Sequence, residues 1–197
     1  MSQGALFDDL PEPLPPGLPE GLAYEPGFLS RAEEQALIAL IRTLPLQAAK
    51  YKEYTARRRV ASFGGSYDFD ANQLLPAQPL IDDLHPLRAR VARWAGVSPD
   101  DLRHVLVAEY APGTPLGWHR DVPDHEEVFG VSLGAPAVLR LRPYPPTDPK
   151  RADVVKLRAM PRSIYALRGV ARWGWQHSVA PVQETRWSVT MRTPRRQ

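Results

Sequence analysis

The 197-residue chain contains no cysteine. That absence excludes disulfides, zinc–thiolate sites, iron–sulfur clusters, a thiol nucleophile and any disulfide-linked partner. It fits a reducing compartment, and a cytoplasmic location is the expectation. No run of about 18 apolar residues occurs, so no transmembrane helix and no membrane partner are expected. The N-terminus also lacks the basic and apolar regions of a secretory signal. Lysine is scarce: of 25 basic residues, only Lys50, Lys52, Lys150 and Lys156 are not arginine. Arginine suits bidentate recognition of carboxylate and phosphate. The net charge is nevertheless only +3, so the balance is compatible with nucleic acid and does not require it.

What is present reads as one domain with a substantial core. Residues 1–22 are rich in proline and glycine and read as an extended arm, disordered or draped on the surface. The expected domain is 23–197. Ser30 and Glu33 form a capping box opening a helix whose apolar positions are Ala36, Leu37, Leu40, Ile41 and Leu44, and Pro45 ends it. A second helix is expected over about 80–95, starting as late as Pro86, with Gly96 as its stop. From residue 103 the pattern changes to short strands broken by Gly and Pro. The candidates are 104–110, 116–120, 129–133, 136–142, 154–159, 163–168, 175–179 and 185–193. Helices first and about eight strands later give an α+β class. The expected architecture is a double-stranded β-helix (jelly roll) or barrel with the N-terminal helices packed on one sheet. A monomer is the expectation.

Three residues carry metal-ligand chemistry. His119 and Asp121 form an H-x-D pair, and His177 follows in a second aromatic stretch. Two imidazoles and a carboxylate on one face of a metal, with other positions open, are the signature of non-haem Fe(II) oxygenases. If residues 119 and 121 share a strand, both side chains point one way. His177 would then come from a neighbouring strand. Further on, positions 186, 188, 190 and 192 share one strand face, offering Arg186, Ser188, Thr190 and Arg192 to a small anion.

These residues resemble the AlkB-like Fe(II)/2-oxoglutarate-dependent dioxygenases. The stretch Tyr110 to Asp121 (YAPGTPLGWHRD) resembles the family's Y-x-P-G-x-x-I-x-x-H-x-D segment, and Val131-Ser132-Leu133-Gly134 its S-L-G strand. Gly169 to His177 resembles G-x-x-R-x-x-W-x-H, and Arg186 to Arg192 resembles R-x-S-x-T-x-R. Arg58-Arg59 with Phe63-Gly64, followed by Tyr67, resembles a lid segment. The resemblance runs, with gaps, over about residues 24–193. It implies Fe(II) held by His119, Asp121 and His177. It also implies that Arg186, Ser188 and Tyr110 grip the distal carboxylate of 2-oxoglutarate, and that Arg192 holds the carboxylate beside the metal. Arg172 would be a supporting donor. The implied reaction couples decarboxylation of 2-oxoglutarate, with O2, to hydroxylation of a substrate C–H bond.

Two positions depart from the family pattern. Ala108 stands where an asparagine often contacts the cofactor. Pro123 stands where nucleic-acid repair members carry an acidic residue, a role that Asp124 or His125 could take. Arg58, Arg59, Phe63, Tyr67, Trp118 and Asp124 are the candidate substrate contacts. For Arg57, Arg58 and Arg59 a solvated basic turn is an equal reading, and for Trp118, Trp173 and Trp175 core or pocket-wall packing outweighs stacking on a flipped base. Arg140 and Arg142 face either the cavity or water. His85 and His104 have no partner signal. The leading expectation is oxidative demethylation of N-alkylated bases in DNA or RNA. The alternatives are hydroxylation or demethylation of a protein side chain or small metabolite, and a catalytically silent nucleic-acid-binding module.

Overall fold

Ser30 opens the first helix through the reciprocal bonds that its sequence context predicts. In the computed structural model, its hydroxyl accepts the Glu33 N–H at 3.2 Å and the Glu33 carboxylate accepts the Ser30 N–H at 2.7 Å. Residues 14–51, 54–68, 73–148 and 153–195 are described. Helix α1 (Arg31–Thr43) buries Ile41 and stops at Leu44, one residue before Pro45. Helix α2 (His85–Ala95) starts where Pro86 costs nothing, in the first turn, whose N–H groups have no intrahelical acceptor. Gly96 caps it with φ of 69°, a left-handed geometry that glycine adopts without a Cβ clash. Helix α3 (Gly169–Trp173) is a single short turn.

Thirteen strands are found among the described residues. The first five are β1 (Leu22–Glu25), β2 (Gln47–Tyr51), β3 (Tyr54–Phe63), β4 (Ser66–Asp68) and β5 (Gln73–Leu75). The other eight are β6 (His104–Tyr110), β7 (Leu116–His119), β8 (His125–Gly134), β9 (Ala137–Pro143), β10 (Val155–Ala159), β11 (Ser163–Leu167), β12 (Trp175–Val179) and β13 (Arg186–Pro194). These eight fall on the segments expected from the sequence. The five earlier strands do not follow the helices-first reading: β2 and β3 extend the main sheet before residue 103. Of the arm, residues 1–13 lie outside the described residues. Residues 14–21 are draped on the domain, with Glu20 and Gly21 carbonyls accepting the N–H groups of Ala171 and Arg168 at 2.9 Å.

The strands form a seven-stranded sheet in the order β1-β11-β8-β13-β6-β3-β2, a four-stranded sheet β10-β9-β12-β7 and the small pair β4-β5. Every pairing is antiparallel. One core lies between α1, α2 and the large sheet, around Ile41, Leu84, Val91, Phe129, Val189 and Met191. A second lies between the two sheets, around Leu139, Leu141, Leu157, Leu167 and Val179. Period-two alternation supplies both cores from the same strands. The result is a double-stranded β-helix with helices on one sheet. No described helix is long and apolar enough to cross a membrane.

Candidate metal centre

Strands β7 and β12 are antiparallel partners, and His119 and His177 stand directly opposite in that pairing. Their ring centroids are 4.2 Å apart. Asp121 does not share the strand with His119, as the alternation argument expected. β7 ends at His119, and Asp121 follows in the loop. It still reaches the same point, because the potential ligand atoms of His119, Asp121 and His177 lie within 4.8 Å of one another. The loop is pinned from α3, where buried Arg172 donates to the carbonyls of Val122 and His125, both at 2.7 Å.

The donor set fits a divalent metal. His119 Nδ1 lies 2.9 Å from the Gly117 carbonyl, which can only accept, so Nδ1 carries the proton and Nε2 keeps its lone pair. Burial pushes the His177 imidazole down to about 3, reinforced by neighbouring His119, and burial also lowers His119. Both rings are therefore neutral ligands. Burial opposes charge on Asp121, yet the guanidiniums of Arg192 and Arg172 hold its carboxyl far below the ordinary range. Arg192 Nε donates to Asp121 Oδ1 at 2.6 Å. Asp121 Oδ2 is buried without a hydrogen-bond partner, 3.5 Å from His177 Nε2. A buried carboxylate oxygen without a partner beside two neutral imidazoles is a donor set that suits a divalent cation.

A cavity of about 1230 Å³ opens over this cluster, between the two sheets. Arg186, Ser188, Thr190 and Arg192 line it from alternate positions of β13. At its inner end Arg186 Nε donates to Ser132 Oγ at 3.0 Å, while another Arg186 nitrogen is buried without a partner. Tyr110 lies beneath the Arg186 guanidinium, 5.0 Å from ring centroid to carbon. Burial would raise its hydroxyl, but the charges of Arg58 and Arg186 and hydrogen bonds with Arg58 and Ser188 bring it below the usual tyrosine value. Ala108 also lines the cavity, and across the β3–β6 ladder it faces Val60. Tyr165 completes the wall, its hydroxyl pushed up to about 12 by burial. Gly130 makes that possible: a Cβ there would meet the Tyr165 ring at 2.3 Å.

The candidate substrate contacts divide. Arg58 is buried on the inward face of β3 and points at Tyr110, so it is neither a solvated turn nor a surface phosphate contact. Arg59, one residue on, takes the opposite face and pairs with Glu109 at 2.9 Å, away from the cavity. Phe63 is 1% exposed in the core under the helices and cannot contact a substrate. Asp124 is exposed at a turn and does not line the cavity; its carbonyl accepts the Arg195 N–H. Tyr67 falls on β4, and its side chain lies outside the described residues. Trp118 stands at the rim. Trp173 and Trp175 do not line the cavity: Trp173 donates to Glu126, and Trp175 packs against the inter-sheet core. The sequence reading missed His104 and Ser132. His104 receives Arg192 at 3.0 Å and stacks on His125 at 4.8 Å, and both rings line the cavity. Ser132 had a signal, since it lies in the S-L-G stretch, whereas no spacing ties His104 to the site.

The family model described as the 2OG-Fe(II) oxygenase superfamily matches residues 21–196. A tRNA (carboxymethyluridine(34)-5-O)-methyltransferase alkbh8 from Xenopus tropicalis is 26% identical over 181 residues, covering 86% of this chain and 27% of its own length. An alkylated DNA repair protein ALKBH8 homolog from Arabidopsis thaliana is 28% identical over 182 residues, covering 81% of this chain and 50% of its own. The chain thus spans between about a quarter and a half of these two relatives. Among solved structures, OsALKBH1 superposes with a TM-score of 0.69 at 15% identity, over 88% of this chain and 96% of that one. A Pseudomonas putida prolyl-4-hydroxylase superposes with a TM-score of 0.56 at 16% identity, over 90% and 94%.

Proposed function

Because the chain belongs to the 2OG-Fe(II) oxygenase superfamily, an AlkB-like dioxygenase that uses Fe(II), 2-oxoglutarate and O2, we propose that it oxidatively demethylates N-alkylated bases in DNA or RNA. The observation that carries this reading is the cavity. Its volume of about 1230 Å³ exceeds the usual range of small-ligand pockets, roughly 300–1,000 Å³, and leaves room for a flipped base beside the co-substrate. The two relatives, one named as a tRNA methyltransferase and one as an alkylated DNA repair protein, support a nucleic-acid substrate.

In this reading His119, Asp121 and His177 hold the iron. Bound there, it supplies the O2 chemistry that couples decarboxylation of 2-oxoglutarate to succinate with hydroxylation of a C–H bond. Arg186, Ser188 and Tyr110 receive the distal carboxylate at the buried end of the cavity, where charge-assisted bonds are strongest. Arg192 has two tasks: it fixes the Asp121 carboxylate and presents its remaining donors to the carboxylate near the metal. Arg172 keeps the Asp121 loop in place through two carbonyls. A hydroxylated N-methyl group is unstable in water and leaves as formaldehyde, restoring the base.

A panel of methylated oligonucleotides, with succinate and formaldehyde both measured, tests the proposal. Formaldehyde in step with succinate for at least one base supports it. Succinate release that no methylated base stimulates overturns it. The outward-facing Asp124 and exposed Pro123 favour a second reading, hydroxylation or demethylation of a protein side chain or small metabolite, because no acidic group takes the place expected in repair members.

A further inference from the structure

The four-stranded sheet carries a feature that the cavity does not use. Its strands β7, β9, β10 and β12 contain no Asp or Glu, yet they contain Arg140, Arg142, Lys156 and Arg158. Alternation turns Leu139, Leu141, Leu157 and His177 inward to the core and the metal centre. The cations therefore share the opposite face, and register brings them together. Lys156 pairs with Arg140, Arg140 with Ser178, and Arg142 with Gln176.

The two arginines are held rigidly. Arg140 Nε donates to Ser178 Oγ and Arg142 Nε to Gln176 Oε1, both at 2.9 Å. Their guanidinium carbons lie 5.3 and 4.3 Å from the Trp118 ring. Arg120 repeats the arrangement 3.9 Å over the Tyr144 ring. None of Arg140, Arg142, Lys156 and Arg158 makes an ion pair among the described residues. Lys156 and Arg158 are exposed, and Asp148 and Asp153 fall in the loop between β9 and β10. In a chain of net charge +3, this is a local concentration of positive charge that no acidic side chain pairs with among the described residues. Trp118 also lines the cavity, and its neighbour His119 is in the metal cluster, so the face runs into the rim of the site.

We propose that this outer face docks the single-stranded nucleic acid flanking a base in the iron site. Its phosphates meet the four cations and its bases stack on Trp118 and Tyr144. The inference rests on the nucleic-acid reading above and adds to it the path and strandedness of the substrate. Charge alone would suit any polyanion. Interleaved aromatic and cationic groups on a flat, rigid sheet suit a single strand, whose bases offer π-faces and whose backbone offers regular charge. An anionic bilayer or an acidic protein has no use for the guanidinium–ring stacks.

The test is anisotropy of short unmodified DNA and RNA strands bound to the full chain with Mn(II) and 2-oxoglutarate, across a salt series. Each lost phosphate contact lowers the log–log salt slope by about 0.7 for single strands, so Arg140→Gln with Arg142→Gln should lower it by about 1.4. Lys156→Glu with Arg158→Glu, at exposed positions that cannot compromise the core, should weaken binding in the same way. Succinate release without oligonucleotide should stay unchanged in that second variant. If the wild type binds strands and both variants keep its affinity and slope, this inference fails while the nucleic-acid reading stands. If the wild type binds no strand at low salt, both fail. Equal binding to duplex and single strand, or preference for phosphatidylserine vesicles, assigns the face to another partner and overturns the inference.

Discussion

Arg192 holds one oxygen of Asp121 at 2.6 Å and leaves the other oxygen buried and without a partner. One guanidinium thus decides which carboxylate oxygen is available to a metal. It also keeps the acid ionised at a depth where burial alone would protonate it. Removing this support should weaken metal binding even though Arg192 is not a ligand. Arg192→Gln is expected to lower Mn(II) affinity by about 10–100-fold, the usual effect of losing a partner behind a metal ligand. Calorimetry on the folded variant measures it, and wild-type affinity would contradict the relationship.

Arg186 lies 2% exposed at the closed end of the cavity with one nitrogen unsatisfied. Arg186→Ala should weaken 2-oxoglutarate binding by roughly 3–5 kcal/mol, more than a hundredfold, because a buried carboxylate would lose its charged partner. Titration of 2-oxoglutarate into the Mn(II)-loaded variant gives the answer directly. An unaltered requirement would move the anion site elsewhere.

His104 and His125 give the fold a dependence on pH. Burial pushes them to about 2 and about 4. In the unfolded chain both imidazoles take up protons below about pH 6.5, whereas the folded protein resists until far lower pH. The unfolded state binds more protons throughout that window. Stability is therefore full above about pH 6.5 and falls as the pH drops, by up to about 1.4 kcal/mol per pH unit for each histidine. Thermal melts of the metal-free protein should show this decline, and His104→Gln should flatten it. Identical profiles for variant and wild type would rule the histidine out as a source.

The charge of the cavity sets an expectation for the base. Among its described lining residues Asp121 is the sole carboxylate, and it is engaged by Arg192, while Arg57, Arg58, Arg120 and Arg186 also line the space. A cationic methylated base would enter against these charges. Oligonucleotides with a neutral base such as 3-methyluracil should release formaldehyde at least about tenfold more efficiently than those with 3-methylcytosine, a difference of about 1.4 kcal/mol. The reverse order would reveal an acidic contact supplied from outside the described lining.

Phe63 separates the two readings of β3. As a core residue at 1% exposure, its replacement by alanine should cost about 3–5 kcal/mol. In a chain of this size that lowers Tm by about 10 °C. A substrate-facing residue would leave Tm intact, so a melting curve alone distinguishes them.

The same strand shows what the sequence could and could not convey. Strands β6 to β13 lie between Gly and Pro breaks, and β13 alternates Arg186, Ser188, Thr190 and Arg192 with Trp187, Val189 and Met191, so these segments were legible. β3 hides its alternation, since two of its inward positions, Arg58 and Ser62, are polar where they line the cavity, and Arg59 takes the opposite face. Three consecutive arginines therefore left a solvated turn and a substrate contact as equal readings. The His119 and His177 pairing was legible because an H-x-D pair and a distant histidine have a specific chemistry. His104 was not, because its role depends on Arg192, 88 residues away, arriving beside it through the β13–β6 ladder. Asp121 falls in the cluster expected for it, but the strand geometry assumed for it was not found: strand β7 ends two residues too early.

That early end has a further consequence. Among the described residues β7 is the outermost strand of the small sheet, paired on one side only. An unpaired edge is where one protein chain adds to another and aggregation begins. Since His119 stands at the end of β7, Asp121 just beyond it and His177 on the neighbouring strand, a cation gripped by all three would tie that end of the edge strand to the sheet. Metal supply thereby becomes a matter of colloidal survival as well as turnover: chelated protein should clump on standing at concentrations where the loaded protein stays clear.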